Sequence, residues 1–259
     1  MSNKTPLMNL KGAMDLIKKS ANPLTPLYEA MTNSLEAIAQ KDFSENEASE
    51  IKIKLYFTGL LEEVKEISKI EIIDNGVGFT DENYARFVEF FDKSKGYDNR
   101  GSGRLQYLHR FEKINVQSIY LKDSLKYERK FSCDSDRFIY DDSNIQDTSN
   151  SSIITTVTML GCSAEDEEKE FFDNLTIDEL LNDIVRHFLL RFYLDNQKDS
   201  LKVPLINLEF IKDNKESDKR TLFPSDIPTP QTTGQIEVAY MRIINAKAES
   251  IEWEKVKDN

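Results

Sequence analysis

The chain has 259 residues, 39% of them hydrophobic and 10% aromatic, enough for one sizeable packed core. A net charge of -12, with 31% charged residues, disfavours binding nucleic acid or an anionic membrane through the overall field. No apolar run of about 18 residues is present to span a membrane, and the N-terminus lacks the apolar stretch of a signal peptide. Cys133 and Cys162, His109 and His187 are too few for a disulfide framework, a zinc site or a multi-histidine metal centre, and a reducing cytoplasm is the expected setting.

Residues 9–19 read as a short amphipathic helix with Leu10, Ala13, Met14 and Ile17 on one side, broken by Asn22-Pro23. Leu24, Leu27, Met31, Leu35, Ile38 and Ala39 then fall at helical spacing, with Thr25-Pro26 as a capping hydroxyl followed by Pro in the first turn. Glu29 and Asn33 stand at i and i+4 and share one face. An amide oxygen can ligate a hard cation, and a carboxylate one turn away can take a proton from water. A solvated helix face often carries such a pair too, so the pair gains meaning only beside the motifs near Asp74 and Gly101.

Residues 42–49 are polar and acidic, hence a loop. Ile51, Ile53, Leu55 and Phe57 alternate with Lys52, Lys54 and Tyr56, a half-buried strand. A connection over 59–66 leads to a second strand at 67–73 with an apolar end. That strand runs into Asp74-Asn75-Gly76-Val77-Gly78-Phe79. A carboxylate at a buried strand end needs a polar partner and can accept a hydrogen bond from an exocyclic amine such as that of adenine. Gly76 and Gly78 let the backbone turn and approach a flat ligand, although an ordinary Asx or glycine turn reads the same way.

Thr80-Asp81-Glu82 opens a helix whose apolar residues are Tyr84, Phe87, Val88, Phe90 and Phe91. Residues 92–104 form a polar loop carrying Lys93, Lys95, Arg100 and Arg104. It ends in Gly101-Ser102-Gly103 and feeds a helical spacing of Leu105, Leu108, His109 and Phe111. A Gly-x-Gly loop entering a helix suits a phosphate, because amides and helix dipole face the anion. His109 is expected to pack near that helix, and His187 to cap or pack within its own.

Residues 114–121, 125–133 and 138–140 read as successive antiparallel strands, 141–151 as a polar loop, and 152–160 as a β-branched strand. The acidic run 165–170 is a solvated loop or helix start. A long helix over 175–194 presents Ile177, Leu180, Ile184, Phe188 and Phe192 for core packing. Beyond about residue 202 the character shifts. Strands are expected at 203–211, 236–244 and 249–256, with Pro204 limiting the first to an edge or a late start, and residues 212–234 form a polar connection.

Three motifs thus stand in order: Glu29-x-x-x-Asn33, Asp74-x-Gly76-x-Gly78, and Gly101-x-Gly103 opening a helix. Over about residues 9–195 this set resembles the GHKL ATPases, in motif style nearest the heat-shock chaperone, MutL and MORC branch. The resemblance implies an α+β fold, a Bergerat-type two-layer sandwich of a mixed, mostly antiparallel sheet and helices. It implies an ATP-binding domain over 1–200, and the change of character near residue 202 marks 201–259 as the expected start of a second, incomplete α/β domain.

Carried over by position, Glu29 resembles the general base and Asn33 the Mg²⁺ ligand. Asp74 resembles the adenine-reading carboxylate, with Gly76 and Gly78 beside the base. Gly101, Ser102, Gly103 and Arg104 resemble the phosphate loop, and Ser94 and Lys95 the polar lid residues. Thr155 resembles the strand threonine that helps Asp74 hold adenine. The family often has Gly before that threonine, where this chain has Ile154, so the choice between Thr155 and Thr156 stays open. Glu36 stands where many relatives have Asp.

The resemblance further implies ATP and Mg²⁺ as ligand and cofactor, slow hydrolysis, a homodimer when nucleotide is bound, and a phosphate-contacting lysine from a downstream domain or partner. Two other readings are a histidine kinase catalytic domain, disfavoured by the little room upstream for a phosphoacceptor helix, and an ATP-gated binding module without turnover.

Overall fold

Strand β1 (Glu50–Thr58) obeys its alternating sequence: Ile51, Ile53, Leu55 and Phe57 are buried while Lys52, Lys54 and Tyr56 face the other way. The same rule builds its neighbours in the computed structural model, which describes residues 14, 17–44, 47–59, 66–88, 103, 105–147, 152–162, 166–196, 203–213, 216–229, 239–242 and 252–255. Of the expected helix over 9–19, residues 9–13, 15 and 16 lie outside them. Contacts divide the chain after Ile227.

The larger unit holds one eight-stranded sheet in the order β5-β4-β3-β6-β2-β1-β7-β8. Its other strands are β2 (Glu66–Asp74), β3 (Phe111–Lys122), β4 (Leu125–Asp134), β5 (Tyr140–Gln146), β6 (Ile154–Cys162), β7 (Leu205–Lys212) and β8 (Glu216–Leu222). All neighbours pair antiparallel except β1 and β7, which are parallel, so the sheet is mixed and mostly antiparallel.

One face of this sheet is apolar and covered by helices α1 (Thr25–Ala39), α2 (Asp81–Val88), α3 (Leu105–Leu108), α4 (Asp166–Asn174) and α5 (Ile177–Asn196). Leu27, Met31, Leu35 and Ile38 of α1 and Ile177, Leu180, Ile184, Phe188 and Phe192 of α5 join the strand residues in a single core. The opposite face is laced with polar contacts. Tyr56 donates to Glu71 at 2.6 Å, Lys69 pairs with Glu71 at 2.8 Å, and Lys219 pairs with Glu209 at 3.1 Å. The fold is therefore an α+β two-layer sandwich.

Several expectations need correction. Residues 141–151 are not simply a loop: β5 occupies Tyr140–Gln146, while Phe138 and Ile139 lie in the bend before it. Likewise β8 interrupts the expected connection over 212–234. Both are sheet edges, held mainly by backbone pairing to β4 and β7, with Leu222 at the end of β8 reaching the core. The chain after residue 200 does not start a separate domain there, since β7 and β8 complete this sheet. Pro204 delays β7 to Leu205.

The smaller unit, Pro228–Asn259, pairs β9 (Ala239–Arg242) antiparallel with β10 (Glu252–Lys255), placing Trp253 opposite Met241.

The start of α1 also differs from expectation. Leu24 is its N-cap and makes no side-chain cap bond. The Thr25 hydroxyl is engaged instead by Ser20 Oγ at 2.7 Å and the Asn22 carbonyl at 2.9 Å, and Asn22 Oδ1 accepts from the Leu24 amide at 2.8 Å. Thr80 does cap α2, accepting from the Asn83 amide at 3.2 Å. His187 packs within its own helix, edge-on to Phe188 with centroids 4.7 Å apart, and also stacks on Tyr28 of α1, centroids 3.9 Å apart.

Candidate functional site

Asp74 ends β2 and is buried. Ser34 of α1 donates to its Oδ2 at 2.9 Å, and the Gly76 amide donates to its Oδ1 at 3.0 Å. Leaving water raises its pKa from 3.8 to about 6, against the pull of those two bonds and the charge of Lys41.

Directly opposite Asp74 on β6 stands Thr155, and directly opposite Thr155 on β3 stands Ser118. Cross-strand partners share a face, so Thr155 lies beside Asp74 while Thr156 belongs to the other side of the sheet. Thr155 Oγ1 and Ser118 Oγ are 2.8 Å apart, and Ser118 Oγ accepts from the Phe79 amide at 2.9 Å. The row continues to Arg129 on β4 and Asn144 on β5. Arg129 is buried and pairs with Asp81 at 2.6 Å, pinning the first turn of α2 above the sheet.

The turn after Asp74 is pressed tight. Gly78 has φ +76°, a conformation that side chains disfavour, and sits against Ser118 and Thr155. A Cβ on Gly76 would lie 2.6 Å from the Ala37 carbonyl carbon of α1. Asn75 fastens the outer side, donating to the Ala48 carbonyl at 2.8 Å and accepting from the Glu50 amide at 2.9 Å.

Glu29 and Asn33 lie on the stretch of α1 that approaches α3. A Cβ on Gly103 would overlap the Glu29 carboxylate, so only glycine allows this approach. Glu29 is more than half buried; burial first, and the charge of Glu36 second, raise its carboxyl pKa. Asn33 Nδ2 donates to the Tyr107 hydroxyl of α3 at 3.0 Å. Segment 103–107 therefore meets α1 twice, Gly103 at Glu29 and Tyr107 at Asn33.

Outward from α1, the other side of α3 is clasped by residues 17–20. The Ser20 amide donates to Gln106 Oε1 at 3.1 Å, Gln106 Nε2 donates to the Lys18 carbonyl at 3.0 Å, and His109 Nε2 lies 2.7 Å from the Ile17 carbonyl. Arg110, fully buried, donates to the Ser20 carbonyl and pairs with Glu168 at 2.8 Å.

The structure thus brings together Glu29, Asn33 and Gly103 on one side, and Asp74, Gly76, Gly78 and Thr155 on the other. Neighbours Asn33 and Ser34 of α1 join the two groups. Ser94, Lys95, Gly101, Ser102 and Arg104 lie outside the described residues. Among the described residues, no group of three or more His, Cys, Asp or Glu side chains could hold a metal by itself. No described helix is long and apolar enough to cross a membrane.

No family model and no curated protein matches this sequence. Among solved structures, the chain is similar to one titled "Crystal Structure of N terminal domain of a DNA repair protein", at 16% identity and a TM-score of 0.49. The match covers 81% of this chain and 54% of that one, so the chain spans about half the length of that structure.

Three residues of the site escaped the sequence reading: Ser34, Ser118 and Tyr107. Two carried a signal. Ser34 interrupts the stripe Leu27, Met31, Ile38 on the buried side of α1, and Ser118 interrupts the inward series Ile114, Val116, Tyr120 on β3. A small hydroxyl at a core position of an apolar series needs a polar partner nearby. Tyr107 carried none, since an aromatic on a short helix reads as core.

Proposed function

We propose that this protein binds ATP with Mg²⁺ and hydrolyses it slowly, as a GHKL-type ATPase of the Bergerat fold. What supports the reading is a convergence. Residues scattered from Glu29 to Thr155 meet along α1, with a buried carboxylate on one side and a partly buried carboxylate on the other. In this reading Asp74 accepts a hydrogen bond from the adenine amino group, and Thr155 supplies a hydroxyl to the base edge, held in place by Ser118. Guanine, with an acceptor oxygen where adenine has the amine, is repelled by the same carboxylate.

The donor set suits a hard cation shared with phosphates. One neutral amide oxygen, Asn33 Oδ1, leaves most of the coordination to phosphate oxygens and water, as Mg²⁺ prefers. Bound there, Mg²⁺ would neutralise developing phosphate charge. Glu29 orients a water toward the γ-phosphorus and takes its proton as the P–O bond to ADP breaks, giving ADP and inorganic phosphate. Its raised pKa makes it a stronger base than an exposed glutamate. The wider reading adds a nucleotide-driven homodimer switch in the cytoplasm, a lysine reaching the phosphates from a further domain or partner, and no role for nucleic acid at this domain.

The test is calorimetry with ATP and GTP, with and without Mg²⁺, alongside a phosphate-release assay on Glu29→Gln. Expected are ATP uptake without GTP uptake, and a variant that still binds but releases no phosphate. Absence of ATP uptake by the unmodified protein rejects the reading. Undiminished release by Glu29→Gln rejects Glu29 as the base.

A further inference from the structure

We infer that Tyr107 is a positioning residue for the cation site: by fixing which way the Asn33 carboxamide faces, it decides whether an oxygen or an amino group is presented to Mg²⁺. The inference rests on the ATP reading above and deepens it.

A carboxamide has two chemically opposite ends on one flat group, and the torsion that exchanges them is soft. On an exposed helix face both orientations are populated, and one of them turns an NH₂ toward the cation. Asn33 is not left to that choice. Its Nδ2 donates to the Tyr107 hydroxyl at 3.0 Å, which turns Oδ1 to the opposite side. Tyr107 is itself buried, 3% exposed, so its ring is held by packing and its hydroxyl oxygen has a fixed place beside the Asn33 amide.

The neighbouring geometry says why α3 carries this residue. Gly103 and Tyr107 are four positions apart in sequence, as Glu29 and Asn33 are on α1. The first pair of contacts sets where the base carboxylate lies; the second sets the ligand orientation. Base and ligand are thus referenced to α3 and to the glycine two positions before it, and Gln106 of α3 and His109 just after it are tied to residues 17–20. Partners that orient a ligand in this way typically contribute tenfold to hundredfold in metal affinity.

The test substitutes Tyr107→Phe, which keeps the ring and removes only the hydroxyl. ATP affinity is measured by calorimetry across magnesium concentrations and in EDTA, with thermal melting as a check on folding. The magnesium concentration at half-effect is expected to rise about tenfold or more, with ATP affinity in EDTA unchanged. In an Asn33→Ala background the same substitution is expected to add nothing, because Tyr107 acts only through Asn33. An unshifted magnesium response in a variant that binds ATP normally overturns the role of Tyr107 and leaves the ATP reading standing. A further loss in the Asn33→Ala background also overturns it. No ATP uptake by the unmodified protein, in either medium, overturns both.

Discussion

Asp74 keeps its charge inside the molecule against the penalty of leaving water, eased by Ser34, the Gly76 amide and Lys41. Below pH 3.8 the carboxyl is protonated in folded and unfolded chains alike; above about 6 it is charged in both, and only the folded state is penalised. The folded chain binds the extra proton between those values, so this group's contribution to stability falls as pH rises from about 4 to about 6, by roughly 3 kcal/mol. Asp74→Asn removes the penalty while keeping the Gly76 bond and a donor toward Ser34. Its melting temperature should exceed that of the unmodified protein at pH 8 and converge with it as pH falls to about 4 and below, while ATP uptake is lost. A lower melting temperature at pH 8 would show that the carboxylate is a net stabiliser. Glu29 gives a second dependence. A base whose pKa is raised loses its proton only at higher pH, so phosphate release should climb with pH through that raised value. An exposed glutamate would complete that climb at lower pH. At this scale the sequence showed Glu29, Asn33 and Asp74, because their chemistry is tied to local spacing. The partners Ser118 and Tyr107 lie 37 and 74 positions from the residues they serve, beyond any local pattern.

Two glycines separate what the turn after β2 needs from what α3 needs. At Gly76 a side chain meets backbone of α1, which cannot yield, so Gly76→Ala should lower stability by about 1–3 kcal/mol, read by urea unfolding. At Gly103 the obstacle is the end of a flexible glutamate. Gly103→Ala should therefore fold normally and bind ATP, yet release phosphate at least tenfold more slowly as Glu29 is pushed aside. Equal loss of stability in both would refute the distinction. The clasp on α3 is open to hydrogen exchange. Gln106→Ala removes two bonds worth about 1 kcal/mol each, so exchange at residues 17–25 should quicken about tenfold or more while β1 and β2 stay protected. Among elements, β1, β2 and β6 were legible because apolar β-branched residues mark strands with one buried face. The edges β5 and β8 were not, because Asp141-Asp142-Ser143-Asn144 and Ser217-Asp218-Lys219-Arg220 bury almost nothing and are strands only by virtue of their neighbours.

For the whole molecule, the position of β7 decides where the larger unit ends. It covers the side of β1 that β2 does not, and Asn207 and Glu50 bridge the pair at 2.6 Å. A chain ended after residue 200 would leave β1, with Ile51, Ile53 and Leu55, as a raw edge, and is expected to aggregate. A chain ended after Ile227 is expected to unfold cooperatively by circular dichroism; failure to do so would make Pro228–Asn259 part of the same folding unit. The shift in composition near residue 202 suggested a boundary because β7 returns from a distant stretch of chain to lie parallel to β1, a pairing that no local signal announces. That pairing also sets a timetable. Asn207 and Glu50 are 157 positions apart, so during synthesis β1 emerges from the ribosome long before the strand that flanks it. For that interval the nascent chain holds an unfinished sheet, and its safe passage depends on how quickly translation delivers the last two strands.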